Sequence, residues 1–150
     1  MRLIPPVWTA VIGTGTRILA EATGGRRDYP GRAPLTAGLA LAGVGLMGTA
    51  AWQFYRARTT IDPRAPHEAS SLVTTGVFGV SRNPIYIADA MLLAAHAAWL
   101  GRPWALLGIP ALVAVLQPQI HAEEAALTSR FGSEYDAYVA QVPRWVRPRG

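Results

Sequence analysis

Long stretches without charge alternate along the chain with short polar links. Residues 35–55 hold no charged side chain over 21 positions. At 1.5 Å rise per helical residue such a run reaches roughly 30 Å, the thickness of a bilayer's hydrocarbon core. Residues 103–120 form a second charge-free run, of 18 positions. Between Arg82 and Arg102 only Asp89 and His96 interrupt a third apolar run, and 3–16 make a shorter fourth, followed by Arg17. A soluble domain of this size has no use for two helices that are apolar all round. The pattern predicts an all-α integral membrane helical bundle in one domain, 1–150. About four transmembrane helices are expected, near 3–21, 35–55, 84–101 and 103–120, with amphipathic helices after them. Asp89 and His96 would be costly against lipid, so both should face the bundle interior.

Finer patterns refine this picture. Trp52 and Tyr55 close the second span, and Trp99 and Trp104 flank the turn Gly101-Arg102-Pro103. Such rings favour the membrane–water interface, although they also pack between helices. Gly38, Ala42, Gly45 and Thr49 recur at three- and four-residue steps, a small-residue stripe for close helix approach. Gly43-Val44-Gly45-Leu46-Met47-Gly48 spells a literal G-x-G-x-x-G. It follows no strand and opens no βαβ unit, so it is not a dinucleotide fingerprint. Ala20-Glu21-Ala22 resembles a signal cleavage site, but Arg17 and Pro5-Pro6 disrupt the apolar region that such a signal needs.

Composition adds limits. Cys is absent, which excludes disulfides, thiolate metal sites and a Cys nucleophile. The apolar share of 51% excludes disorder. All 14 basic residues are Arg, against nine acids, for a net charge of +5. Coding bias in a GC-rich genome is one source of that usage. A basic surface suits nucleic acid or anionic lipid, and the charge-free spans exclude a soluble nucleic-acid binder. Four spans put the N-terminus, the 56–83 loop and the 121–150 tail on one side, with nine Arg, against four on the other. The positive-inside rule places that side in the cytoplasm and the protein in the inner membrane.

The polar half carries the chemistry. The 56–83 loop has no helical period and ends in Ser81-Arg82-Asn83-Pro84-Ile85-Tyr86. Pro84 suits the first turn of the third span, so Arg82 and Asn83 sit at a helix entrance that favours an anionic ligand. Asn83 could equally serve as a cap. The tail opens with His121-Ala122-Glu123-Glu124 as the fourth span ends. Adjacent helical residues point about 100° apart, so at most one of the two carboxylates faces a given pocket and the other pairs with Arg or meets water. Gly132 should stop that helix, and Ser133-Glu134-Tyr135-Asp136 reads as a capping box that starts another, ended by Pro143. Tyr135, Tyr138, Val139 and Val142 form an apolar stripe for the membrane surface or for the loop. No metal site is expected: His121 and Glu124 share a face without further ligands, and His67-Glu68 lacks a zincin's second His.

Taken together, Leu72-Val73-Thr74-Thr75-Gly76-Val77-Phe78, then Ser81-Arg82-Asn83-Pro84-Ile85-Tyr86, a pair of apolar spans, Glu123-Glu124 and Phe131-Gly132-Ser133-Glu134-Tyr135 are similar to a known family. It is the isoprenylcysteine carboxyl methyltransferase and phospholipid methyltransferase family of integral membrane enzymes. The resemblance covers about 59–148. It implies S-adenosylmethionine as cofactor, a cytoplasm-facing pocket built by loop and tail, and a lipophilic or lipid substrate arriving from the bilayer. By that resemblance Ser70, Ser71, Leu72 and Val73 cradle the cofactor, and Phe78 takes an aromatic position that is usually Tyr. Asn83, Pro84, Ile85 and Tyr86 match a His-Pro-x-Tyr element, with Ala88 where Gly is usual. Glu123 and Glu124 supply the cofactor-binding carboxylate. Arg82 can pair with the cofactor's carboxylate or with a tail Glu, and Tyr86 or Glu124 is the nearest base. Gln119 stands where prenylcysteine enzymes carry a substrate-contacting Arg.

Two other classes fit parts of the pattern. A membrane scaffold or transport protein would use Asp89 and His96 as an intramembrane relay and bind no cofactor. An NADPH-dependent membrane lipid reductase would bind a dinucleotide and no sulfonium.

Overall fold

The computed structural model describes residues 5–59 and 70–146. Arg64 and His67-Glu68 of the loop, Arg2, and Arg147 and Arg149 of the tail lie outside the described residues. Every regular element among the described residues is helical: α1 (Pro5–Ala22), α2 (Arg32–Arg56), α3 (Pro84–Leu100), α4 (Gly108–Phe131) and α5 (Ser133–Gln141). Short 3-10 turns fill Gly76–Gly79 and Pro103–Leu107. Two helical stretches are long and apolar enough to cross a membrane, Arg32–Arg56 and Pro103–Phe131, and Pro84–Leu100 is a shorter apolar helix. Each of the four expected spans thus overlaps a helix, and two of the helical stretches meet membrane-crossing length and hydropathy.

Contacts along the helices fix their directions. Thr9 of α1 meets Asp89 of α3, and Arg17 meets Trp99, so α1 and α3 run parallel. Gly43 of α2 approaches Ala88 and Leu92, while Tyr29, ahead of α2, donates to the Ala98 carbonyl, so α2 runs the other way. Glu123 near the end of α4 meets Tyr86 at the start of α3. The result is an up-down-up-down bundle, as short connections favour.

One core joins Tyr86 and Leu93 of α3 to Leu112, Leu116 and Ile120 of α4, with Trp8 and Ile12 of α1 and Trp145 of the tail against it. A second, at the opposite end, gathers Ala20, Ala97, Leu100 and Ala105 with Trp99 and Trp104. Those two Trp residues thus pack between elements, whereas Trp52 and Tyr55 stay exposed and stack at 5.5 Å, as interfacial rings would. Asp89 is fully buried and accepts from Thr9 Oγ1 at 2.9 Å, and His96 is half-buried against Trp99. Asp89 thus faces the interior, as lipid cost demands, while His96 lines a groove between α1 and α3.

Among the described residues nothing packs on the small-residue stripe of α2. Nothing lies within 4 Å of where a Cβ on Gly38 or Gly45 would sit. The close approach to α3 is instead made by Gly43, whose Cβ would lie 3.2 Å from the Ala88 carbonyl, and by buried Ala50. At 3.6 residues per turn, Gly43 and Ala50 sit roughly 120° round the helix from the stripe.

Two glycines are dictated by backbone geometry. Gly101 ends α3 at φ 63°, and a Cβ there would fall 2.1 Å from the Arg27 carbonyl, where the α1–α2 link docks. Gly76 turns the loop at φ 58° against Gln53 of α2.

Candidate functional site

The polar side chains gather where α3 begins, α4 ends and the tail returns. Tyr86 lies in the first turn of α3, which Pro84 opens. Its Oη donates to Glu123 Oε1 at 2.6 Å. Gln119, one turn before Glu123 on α4 and itself buried, donates from Nε2 to that same oxygen at 3.0 Å and to Tyr86 Oη at 3.2 Å. The trio bridges two helices at a largely buried point. Pro118 sits inside α4 just ahead of it and provides no N–H for the carbonyl four residues back.

Glu124 points elsewhere, as adjacent helical residues must. It accepts from Arg82 Nη1 at 2.7 Å and is held by Arg144 through two bonds, Nε to Oε1 at 3.0 Å and Nη2 to Oε2. Arg82 Nη1 also donates to Tyr135 Oη at 3.2 Å, while its Nε is buried without a hydrogen-bond partner. One carboxylate between two guanidiniums leaves a net positive charge here, beside the Glu123 trio.

The tail is zipped onto the helix entrance. Arg82 N donates to Pro143 O at 3.0 Å, and Ser81 Oγ and Asn83 Nδ2 both donate to Arg144 O at 3.0 Å. Asn83 is the residue before α3, yet its side chain makes no cap bond and goes to the tail instead. The expected capping box of α5 is not formed: Gly132 precedes the helix, no side chain caps it, and Ser133 is already helical. Packing holds α5 in its place. Tyr135, Tyr138 and Val142 are buried against Leu72, Leu127 and Phe131, and Tyr138 Oη donates to Phe78 O at 2.7 Å. The tail stripe therefore covers the loop. Burial raises the Tyr135 phenol above its ordinary range, with Arg82 opposing, and burial followed by the neighbouring Tyr135 raises Tyr138.

The cradle residues are distributed around this centre. Ser70 and Ser71 hydroxyls donate to Arg58 O at 2.8 Å and Ala57 O at 3.0 Å, so they stitch the loop to the end of α2. Leu72 joins the tail cluster and Val73 is half-buried. Phe78 is buried with its ring edge-on to Phe54 at 4.9 Å. Ile85 is half-buried and Pro84 buried. Arg144 and Ser81, which carry no site role in the sequence pattern, join them. Both contact the centre through folding of the tail, for which a lone Arg after Pro143 gives little signal.

Comparison with known proteins decides the family. The phospholipid methyltransferase family matches residues 33–134. This chain belongs to that family. The matched stretch contains α2 to α4 and both Glu123 and Glu124, and leaves α1 and the returning tail outside. An uncharacterised protein of Haemophilus influenzae is 40% identical over 63 residues, which are 41% of this chain and the whole of that relative. No solved structure matches the chain. Membership in a methyltransferase family, together with the apolar helices, gives a membrane-associated protein with a methyltransferase's ancestry.

Proposed function

We propose that the protein transfers a methyl group from S-adenosylmethionine to a lipophilic or lipid acceptor at the cytoplasmic face of the inner membrane. The observation that carries this reading is the donor set at the α3–α4 exit. It holds a carboxylate, Glu123, positioned by Tyr86 and Gln119, beside a buried Arg82 Nε–H without a partner. The cofactor presents a carboxylate, an amino group and a ribose diol, and these residues fit it. The Arg82 Nε–H suits the carboxylate. Glu123 accepts from the amino group or the diol, and Leu72, Val73 and Phe78 support the loop beside it. When bound, S-adenosylmethionine supplies an electrophilic methyl group on sulfur.

The chain's own part is alignment and exclusion of water, which suffices for in-line displacement. An acceptor that must shed a proton would pass it to Tyr86 Oη as that hydroxyl gives its own to Glu123, along the 2.6 Å hydrogen bond. Glu124, locked between Arg82 and Arg144, holds the tail rather than the cofactor. Gln119 is neutral and already bonded to Tyr86 and Glu123, so nothing there clamps an acceptor's carboxylate. The acceptor is therefore not a prenylcysteine carboxylate.

The test is radiolabelled methyl transfer by the full chain to ethanolamine lipids, apolar thiols, apolar phenols and a farnesylcysteine analogue. Label should enter one of the first three and not the last. Activity on the farnesylcysteine analogue that disappears in Gln119→Ala overturns the acceptor assignment. For orientation, Cys introduced at Arg27 and at Arg130 of this Cys-free chain should label from opposite sides of a sealed vesicle. Labelling from the same side contradicts the topology.

A further inference from the structure

From the middle of the bundle toward its other end a groove of about 350 Å³ runs between α1 and α3. Ala10 and Gly13 of α1 with Leu92 and Leu93 of α3 form its apolar lining, and Thr9, Thr14, Arg17 and His96 line it as well. Next to His96 the Trp99 ring carries two guanidiniums, those of Arg17 and Arg26, each 5.4 Å from its centroid. The Arg17 side chain is 57% exposed and its pairing with Glu21 uses Nε alone. Arg26 is exposed, with no carboxylate bonded to it among the described residues. Residues 17–32 together with Arg102 bring five Arg and only two acids to this end. A cation over Trp stays available to an anion approaching from outside, because the ring face holds it without neutralising it.

We propose that this groove binds one anionic phospholipid, with an acyl chain along the α1–α3 floor and the phosphate on Arg17 and Arg26 beside Trp99. The occupant follows from the two halves together. An apolar molecule would leave two guanidiniums unmatched, and a free phosphate would leave the apolar floor unmatched. Only an amphiphile with an anionic head uses both, and Trp favours the interface where that head lies. The site is at the opposite end of α3 from Tyr86 and Glu123, so this lipid is a resident and not the methyl acceptor. It seats α1, the helix outside the family match, against α3. The inference rests on the reading that the helices lie in a bilayer.

The test uses the full chain in maltoside micelles holding equal phosphatidylglycerol and phosphatidylcholine, with retained lipid counted by native mass spectrometry. Wild type should retain phosphatidylglycerol in excess. The double variant Arg17→Gln, Arg26→Gln should lower that excess about tenfold, the worth of two interfacial cations. Gly13→Leu, which fills the floor and alters no charge, should also lower it, and Arg27→Gln should leave it unchanged. Millimolar inorganic phosphate should not displace the lipid. Equal retention of both lipids, an equal loss in Arg27→Gln, or displacement by phosphate overturns the site. Retention of neither lipid overturns the membrane reading along with it.

Discussion

Two arginines, one at each end of the bundle, Arg102 buried and Arg82 half-buried, are held in opposite ways. Arg102 donates from Nε to Gly25 O at 3.0 Å and from Nη2 to Thr23 O at 2.8 Å and Gly25 O at 2.7 Å. It is a nail through the α1–α2 link, bonded to backbone carbonyls. Arg82 meets a carboxylate and a phenol from other elements and keeps a buried Nε–H without a partner. A buried N–H left unmatched costs stability. The difference is one of construction: the Arg102 end is tied through backbone carbonyls, and the Arg82 end is assembled from side chains of four segments.

Substitution should split the two ends. Arg102→Gln should have the largest effect, because it removes the buried cation that bonds the Thr23 and Gly25 carbonyls of the link. A loss of about 3 kcal/mol is expected, read by denaturant unfolding in detergent, with cofactor affinity of the folded fraction intact. Glu124→Gln should cost less. Its partners keep 13% and 32% of their side-chain exposure, so solvent screening holds the loss to about 2 kcal/mol. That loss should be local, appearing as faster hydrogen exchange through 133–146 while α1 to α3 stay protected. Stability losses spread evenly over the bundle by both changes would erase the contrast.

Much of this was legible in the sequence, for a physical reason. Helices in lipid must be apolar over a fixed length, so 35–55 and 103–120 announce themselves, as do Pro84 at a helix start and Gly132 at a helix end. The opposed aims of Glu123 and Glu124 follow from the helical step of 100°. What stayed hidden depends on chain return. No local pattern says that residue 144 comes back to meet 81, 83 and 124, or that Asn83 would serve the tail instead of its own helix. The α2 stripe misled because sequence gives the faces of a helix without saying which one meets the neighbour.

Smaller effects sharpen the picture at the Glu123 end. Tyr86→Phe removes the donor to Glu123 and should weaken S-adenosylmethionine by about 1 kcal/mol in calorimetry, with stability little changed. The smallest effect is nil at neutral pH. Tyr135 and Tyr138 are raised above the usual value of 10.0. The folded state then keeps protons that the unfolded chain gives up, so stability is complete below pH 10 and declines as pH rises beyond it. Unfolding between pH 9 and 11 should show that decline, and Tyr138→Phe should flatten it.

The central claim is that Arg82 and Glu123 form the cofactor's wall, and calorimetric titration of S-adenosylmethionine into the detergent-solubilised full chain tests it most directly. Wild type should bind, and Arg82→Gln and Glu123→Gln should each weaken binding by about 1.5–3 kcal/mol, the value of a hydrogen bond to a charged group. Wild-type protein that binds no S-adenosylmethionine, or an affinity unmoved by both substitutions, would contradict the account.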